Sequence, residues 1–285
     1  MDRRSLLKAT LVGTCILLAR PSLTLAAQDV SKKLEALERR RGGRLGVAIL
    51  NTGNSQRIGY RDHERFLMCS TFKLLLVGAV LARVDRGKEQ LYRRLVFEQT
   101  AVLEYAPITS KHVGPAGMTI AELCQAAIAL SDNTAASVLL EHLGGPAVVT
   151  AYARELGDSI TRLDRIEPDL NVPSADGLSD TTTPAAMLDT LRTLTLGDAL
   201  SATSRKQLID WLCETSTGTD LLRAGVPADW RVGDKTGSNH TQRNDIAILW
   251  PPRRKPLLVA AYYENAGIGH DDRAAVLAEV GRLLG

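Results

Sequence analysis

The hydrophobic pattern of this chain changes character twice along its length, and no other feature restricts its fold so much. Residues 45–50 (Leu-Gly-Val-Ala-Ile-Leu) read as a strand, residues 51–54 (Asn-Thr-Gly-Asn) carry turn chemistry, and residues 56–60 return as the hairpin partner. From about residue 70 to residue 218 the patterns are mostly helical. After residue 220 strands come back, over residues 230–235, 245–250 and 257–263, and residues 271–284 read as an amphipathic helix. A helical middle between strand-bearing ends is most simply an α+β lobe assembled from both termini, with an all-helical lobe inserted. The cleft between two such lobes is the expected place for a small-molecule site.

Within that outline, residues 30–41 predict a helix stopped by Gly42-Gly43. Residues 72–84 are almost wholly apolar, the mark of a helix buried on all sides. Residues 119–142 form one long helical pattern ended by Gly144-Gly145, and Thr183-Pro184 opens another helix with a polar cap and proline at its first position. No internal repeat or low-complexity linker is visible. The 285 residues suffice for one large core or two packed lobes, and 45% apolar with 24% charged residues excludes a disordered chain.

Charge narrows the function classes. Lys plus Arg is 35 and Asp plus Glu is 32, a net +3. Residues 1–27 carry Arg3, Arg4, Lys8 and Arg20 against Asp2, which accounts for the whole surplus. The remainder is electrically balanced, and aromatics are only 4%, so neither a polyanion-binding face nor a base-stacking surface is expected. A nucleic-acid partner is therefore excluded from the reading.

The first 27 residues look like an address. A short basic start is followed by an apolar run over residues 9–19, too short to span a bilayer, and Leu25-Ala26-Ala27 offers small residues for cleavage after Ala26 or Ala27. Arg3-Arg4-Ser5-Leu6-Leu7-Lys8 resembles a twin-arginine export signal, with a general export signal as the alternative. The mature protein is then expected to be periplasmic or secreted, with no membrane association once the signal is gone. Export favours disulfides. Cys15 would leave with the signal, however, so Cys69, Cys124 and Cys213 allow at most one bridge. The histidines (His63, His112, His142, His240, His270) are scattered and no cysteine spacing suits zinc, so no metal is expected.

Three short motifs could carry chemistry. Ser70-Thr71-Phe72-Lys73 places an amine one helical turn beyond a hydroxyl, and a serine nucleophile needs such a neighbouring base. Backbone amides at a helix start also suit a developing oxyanion. Alone the motif reads as a helix cap; the same spacing recurs at Ser5-Leu6-Leu7-Lys8. Ser131-Asp132-Asn133 alone is a polar interruption, with Ser131 or Asp132 capping a helix from residue 133. Lys235-Thr236-Gly237 alone is a strand end with a solvated lysine. Their joint occurrence, in this order, is what gives them weight.

Together with Met68-Cys69 before the first motif, Glu167-Pro168-Asp169-Leu170-Asn171, Asp180-Thr181-Thr182-Thr183-Pro184 and Asp234-Lys235-Thr236-Gly237-Ser238, they give most of the mature chain a close resemblance to class A serine β-lactamases. The resemblance implies the two-lobed β-lactamase/transpeptidase-like fold, an antiparallel sheet flanked by helices plus an all-helical lobe. It divides the chain into the signal at residues 1–27, an α+β lobe from 28–62 and 220–285, and a helical lobe at 63–219 containing an omega loop at 165–180. It implies hydrolysis of penicillins and cephalosporins through a serine acyl-enzyme, and hence β-lactam resistance, with a β-lactam and a catalytic water as partners, no cofactor, and a monomeric protein.

By the same resemblance Ser70 is the nucleophile and the amides of Ser70 and Ser238 form the oxyanion hole. Ser131 passes a proton to the leaving nitrogen, tuned by Lys73 and Lys235. Lys235, within Lys235-Thr236-Gly237, attracts the substrate carboxylate, and Asn133 binds the acylamide side chain. Glu167 with Asn171 holds the deacylating water; whether Lys73 or Glu167 is the acylation base stays open. Tyr105 walls the cleft and Arg243 aligns, after a one-residue gap, with an arginine that some members use for the substrate carboxylate. Arg165 and Asp180 should pair across the neck of the loop, and Glu167-Pro168 should be cis. Cys124 faces Val77 where some members have its disulfide partner, and Cys69 lacks a cysteine after Lys235-Thr236-Gly237, so no disulfide is expected. The nearest alternative is a cell-wall DD-peptidase, against which Glu167 and Asn171 argue; a non-catalytic β-lactam sensor is more distant.

Overall fold

The computed structural model describes residues 21–285, with side chains from residue 28. The export-signal reading falls largely on residues 1–20, outside the described residues. Among the described residues the elements run α1 (Pro21–Arg41), β1 (Arg44–Asn51), β2 (Gln56–Tyr60), β3 (Phe66–Leu67), α2 (Lys73–Asp85), β4 (Arg94–Phe97), β5 (Gly114–Thr119), α3 (Ile120–Ala129), α4 (Asn133–Leu143) and α5 (Pro146–Glu155). They continue with β6 (Thr181–Thr182), α6 (Pro184–Leu196), α7 (Ala202–Cys213), α8 (Leu222–Gly225), β7 (Arg231–Ser238), β8 (Gln242–Trp250), β9 (Leu257–Glu264) and α9 (His270–Arg282).

Both ends of the chain build one antiparallel sheet in the order β2-β1-β9-β8-β7. Strands β1, β9, β8 and β7 are buried on both faces, while β2 forms a more exposed edge, and the side-chain period of two divides the buried strands cleanly. Leu45, Val47, Ile49, Ala247, Leu249, Val259, Ala261 and Tyr263 face a core shared with α1, α8 and α9. Ala48, Leu50, Ile246, Ile248, Leu258, Ala260 and Tyr262 face the other way, into a core that continues through the helices of the middle segment. The helical block at residues 63–219 is thus not sealed off from the sheet. Gly46 makes close approach possible there: a Cβ on it would sit 2.4 Å from the Phe66 ring, which packs on Tyr262 with centroids 5.8 Å apart.

The axis of the helical part is α2, whose residues from Lys73 to Ala82 are all buried. Such a helix has no solvent face to supply polar spacing, which explains its unbroken apolar run. Two sequence expectations change here. The long pattern over residues 119–142 is two helices, because Ser131 adopts a left-handed backbone (φ 56°) and Asp132 caps α4 by accepting from Ala135 N at 2.8 Å. The lobe read as all-helical also holds two short antiparallel ribbons, β3–β6 and β4–β5. The caps of α6 and α4 are as read: Thr183 Oγ1 accepts from Ala186 N, and Gly144 ends α4 at φ 103°. None of the helices among the described residues is long and apolar enough to cross a membrane.

Candidate active site

Ser70 lies in a 3₁₀ turn, Cys69–Phe72, that feeds directly into α2. The turn is strained and heavily tied. Cys69 is fully buried with φ 44°, a conformation that costs a non-glycine residue about 1–3 kcal/mol and persists only where its surroundings hold it. Met68 N donates to Asp180 O at 2.9 Å, Asn244 Nδ2 to Leu67 O at 2.9 Å, and Thr71 Oγ1 to Met68 O at 2.8 Å. Strand β7 closes on the same turn: a Cβ at Gly237 would meet Met68 O at 2.7 Å and Ser70 N at 3.2 Å. Only glycine lets β7 run this close, which sets Ser238 beside the nucleophile's turn.

Lys73, one turn on, is fully buried, and its ammonium donates to Ser131 O at 2.8 Å and Asn133 Oδ1 at 2.6 Å, with Ser131 Oγ at 3.4 Å and Glu167 Oε1 at 3.7 Å. Burial lowers the Lys73 pKa to about 8, partly opposed by the charges of Glu167 and Asp132. Lys235, also fully buried, donates to Ser131 Oγ at 3.0 Å and to Thr236 O at 2.7 Å. Desolvation, followed by repulsion from Lys73, holds Lys235 well below the usual lysine range. The solvated strand-end lysine that this motif suggests alone does not occur, because β7 continues to Ser238. One hydroxyl, Ser131 Oγ, thus receives both amines.

The Ser131-Asp132-Asn133 turn is anchored by Asp132, which takes four donors: Ile108 N and Thr109 N at 3.0 Å, and Thr109 Oγ1 and Ala135 N at 2.8 Å. Asn133 N donates to Tyr105 O at 2.9 Å, so the same turn holds the loop bearing Tyr105, whose side chain is exposed at the cleft.

Across the cleft, residues 165–180 form a loop closed at its neck. Buried Asp180 accepts from Arg165 Nε at 2.6 Å and from the amides of Asp164 (2.8 Å) and Arg165 (2.9 Å), and Arg165 Nη2 spans the loop to Val172 O. Leu170 fills the loop from inside, and the Glu167–Pro168 bond is cis. Glu167, 3% exposed, accepts from Asn171 Nδ2 at 2.6 Å and from Ser70 Oγ at 3.5 Å. Asn171 Oδ1 is buried without a partner among the described residues, an acceptor left beside Glu167.

These groups share one cleft of about 330 Å³. Ser70, Tyr105, Ser131, Asn133, Glu167, Asn171, Thr236, Gly237, Ser238 and Arg243 line it; Lys73 and Lys235 stand behind its walls. Thr217 and His270 line it too, and Asp220 binds Arg243, and none of these three was singled out from the sequence as a site residue. Thr217 and Asp220 lie where the mostly helical stretch ends and the strands have not yet returned, and His270 directly precedes the helix read at residues 271–284, so no local pattern marks them. No group of three or more His, Cys, Asp or Glu among the described residues is placed to hold a metal. Cys69, Cys124 and Cys213 are free thiols in the structure.

The loop neck gives a first expected result. Arg165→Ala leaves Asp180 with its two amides but without its cation, a loss of about 1.5–3 kcal/mol for a charged hydrogen bond. Turnover should fall more than global stability, and amides of residues 165–180 should exchange faster with deuterium. Unchanged hydrolysis together with unchanged exchange in the loop would show the pair to be unimportant.

The chain as a whole is similar to known proteins. The profile of the Beta-lactamase enzyme family matches residues 29–285. The chain is 46% identical over 288 residues to Beta-lactamase CTX-M-25 of Escherichia coli, covering all of this chain and 99% of that relative. It is 46% identical over 260 residues to Beta-lactamase L2 of Stenotrophomonas maltophilia, covering 90% and 86% of the two chains. A solved ancestral (GNCA) class A β-lactamase superposes with a TM-score of 0.87 at 60% identity, over 90% of this chain and 98% of that one. The chain belongs to the β-lactamase enzyme family, as a class A serine hydrolase.

Proposed function

We propose that Ser70 carries the acyl group when this chain hydrolyses the β-lactam ring of penicillins and cephalosporins. Ser70 Oγ attacks the lactam carbonyl, and the amides of Ser70 and Ser238 hold the oxyanion. As the C–N bond breaks, the proton from Ser70 reaches the ring nitrogen through Ser131, whose hydroxyl sits between Lys73 and Lys235. Water then attacks the ester, giving a proton to Glu167, and as the acyl C–O bond breaks that proton passes to Ser70 Oγ, so Ser70 leaves as the alcohol and the product as the ring-opened acid. Asn133 and Tyr105 contact the acylamide side chain, while Lys235, Thr236 and Arg243 receive the carboxylate. No cofactor takes part. Hydrolysis of this kind confers β-lactam resistance.

One observation carries the hydrolase reading over that of a cell-wall acyl-transfer enzyme. Glu167, oriented by Asn171, lies within reach of Ser70 in the same cleft, where a deacylating base is needed. A stoichiometry assay tests it. Purified protein should convert many equivalents of a penicillin to the ring-opened acid, and Ser70→Ala should convert none. Consumption of one equivalent followed by arrest, with release of D-alanine from a D-Ala-D-Ala peptide, would favour the DD-peptidase instead. The remaining parts of the proposal are export through the N-terminal signal, periplasmic or secreted residence, and action as a monomer free of membrane.

A further inference from the structure

Arg243 has surroundings that ring opening does not use. The guanidinium stands on β8 in the cleft wall, 7% exposed, with Nη2 3.2 Å from both carboxylate oxygens of Asp220. Its Nε is buried and unpartnered among the described residues. Asp220 is half exposed, yet the segment that bears it is stitched to the sheet. Thr217 Oγ1 meets Thr236 Oγ1 at 2.6 Å, Leu222 N donates to Asp245 Oδ2 at 3.2 Å, and Arg223 Nη2 donates to Asp234 Oδ1. From the other side His270, the first residue of α9, lines the same cleft as Arg243.

We propose that Asp220, Arg243 and His270 form a proton-dependent port for the substrate carboxylate, in which Asp220 competes for Arg243 and protonated His270 offsets that competition. The port rests on the placing of the carboxylate at Arg243 proposed above. With His270 neutral, Asp220 cancels much of the field of Arg243, and an arriving anion gains little. With His270 protonated, the port is net positive.

The charges around His270 are Arg243 on β8, Asp220 ahead of α8, and Arg273 and Asp271 on α9. His270 is exposed at the cleft rim, and partial desolvation, then Arg243 and Arg273, hold its imidazole below the usual histidine value, against Asp220 and Asp271. A bound carboxylate favours the imidazolium, so the pKa is higher in the complex than in the free protein. Affinity is therefore greatest below the free value and is lost as pH rises through the value of the complex, with proton uptake on binding between the two.

Binding of benzylpenicillin to the Ser70→Ala protein, by titration calorimetry in buffers of different ionisation enthalpy, tests this without acylation. The Kd should be about three- to tenfold lower at pH ~5.5 than at pH ~7.5, with a fraction of a proton taken up. Adding His270→Ala should remove both the uptake and the pH dependence, and adding Asp220→Asn should tighten binding near neutral pH. Survival of the pH dependence without His270, or weaker binding in Asp220→Asn, overturns the port. Arg243→Ala separates the two levels: if it leaves binding unchanged, the carboxylate placement itself is wrong. If it weakens binding while His270→Ala has no effect, the port alone is wrong.

Discussion

Glu167→Ala is expected to turn a repeating hydrolase into a protein that acylates once and stops. Acylation and deacylation are separate steps, each needing a base. In the ester Ser70 is already esterified and Asn171 only orients, and among the described residues lining the cleft Glu167 is the only carboxylate. General base catalysis is typically worth ~10²–10⁴-fold, and steady-state turnover should fall by about that much. The acylation step is spared by a property of Lys73. Glu167, 3.7 Å away, raises the Lys73 pKa by its charge, so removing Glu167 lets burial push Lys73 lower still and frees its amine nearer neutral pH. Intact-protein mass spectra should show a persistent adduct at the full mass of the penicillin, absent from Ser70→Ala. Near wild-type hydrolysis by Glu167→Ala would remove the deacylation role from this residue.

How far such a site could be read from the chain depended on where its contacts lie. Ser70 and Lys73 are three residues apart where a 3₁₀ turn runs into α2, and the caps at Thr183 and Gly144 are local chemistry, so short windows reveal them, although the Lys73 ammonium reaches Ser131 and Asn133 while the Ser70 hydroxyl turns to Glu167. The sheet was under-read at β8, which starts at Gln242 and not near residue 245. Gln242, Arg243 and Asn244 fall before the strand read from the sequence and Asp245 at its start, yet all four are buried. Three of them are bound by distant partners: Arg243 by Asp220, Asn244 by Leu67 O and Asp245 by Leu222 N. Polar residues in a buried strand are tolerable only when the tertiary structure supplies such partners, and a window of eight residues contains none of them. The two helices α3 and α4 merged into one pattern for the opposite reason. Their apolar faces nearly keep register across Leu130-Ser131-Asp132, and only the left-handed turn at Ser131 shows that the site interrupts them. The same logic hid His270 and Asp220, which become part of the cleft only when α9 and the segment before α8 are folded against β8.

Lys73→Ala should have the second large effect, on acylation. In the resting protein the Lys73 ammonium divides its donors between Ser131 O, Asn133 Oδ1 and the neighbourhood of Glu167, while Ser70 Oγ donates to Glu167 at 3.5 Å. Removing the amine leaves a buried main-chain carbonyl and a part-buried amide oxygen without their donor and takes the nearest cation from Glu167. It also removes one of the two ammonium groups around Ser131, through which the leaving nitrogen is protonated. Single-turnover acylation should fall by about 10²–10⁴, with a smaller change in substrate binding, because Lys73 stands behind the cleft wall. The pH dependence then distinguishes a base from a charge. With its pKa lowered to about 8, wild-type Lys73 is mostly protonated at neutral pH, and acylation through its amine must rise with pH up to that value. In Glu167→Ala the rise should shift to lower pH, following the amine that has lost its carboxylate, and in the double variant with Lys73→Ala no adduct should build up. Acylation by Glu167→Ala that stays flat across this range, or that survives loss of Lys73, would leave Lys73 an electrostatic support for Ser131 and Asn133 alone.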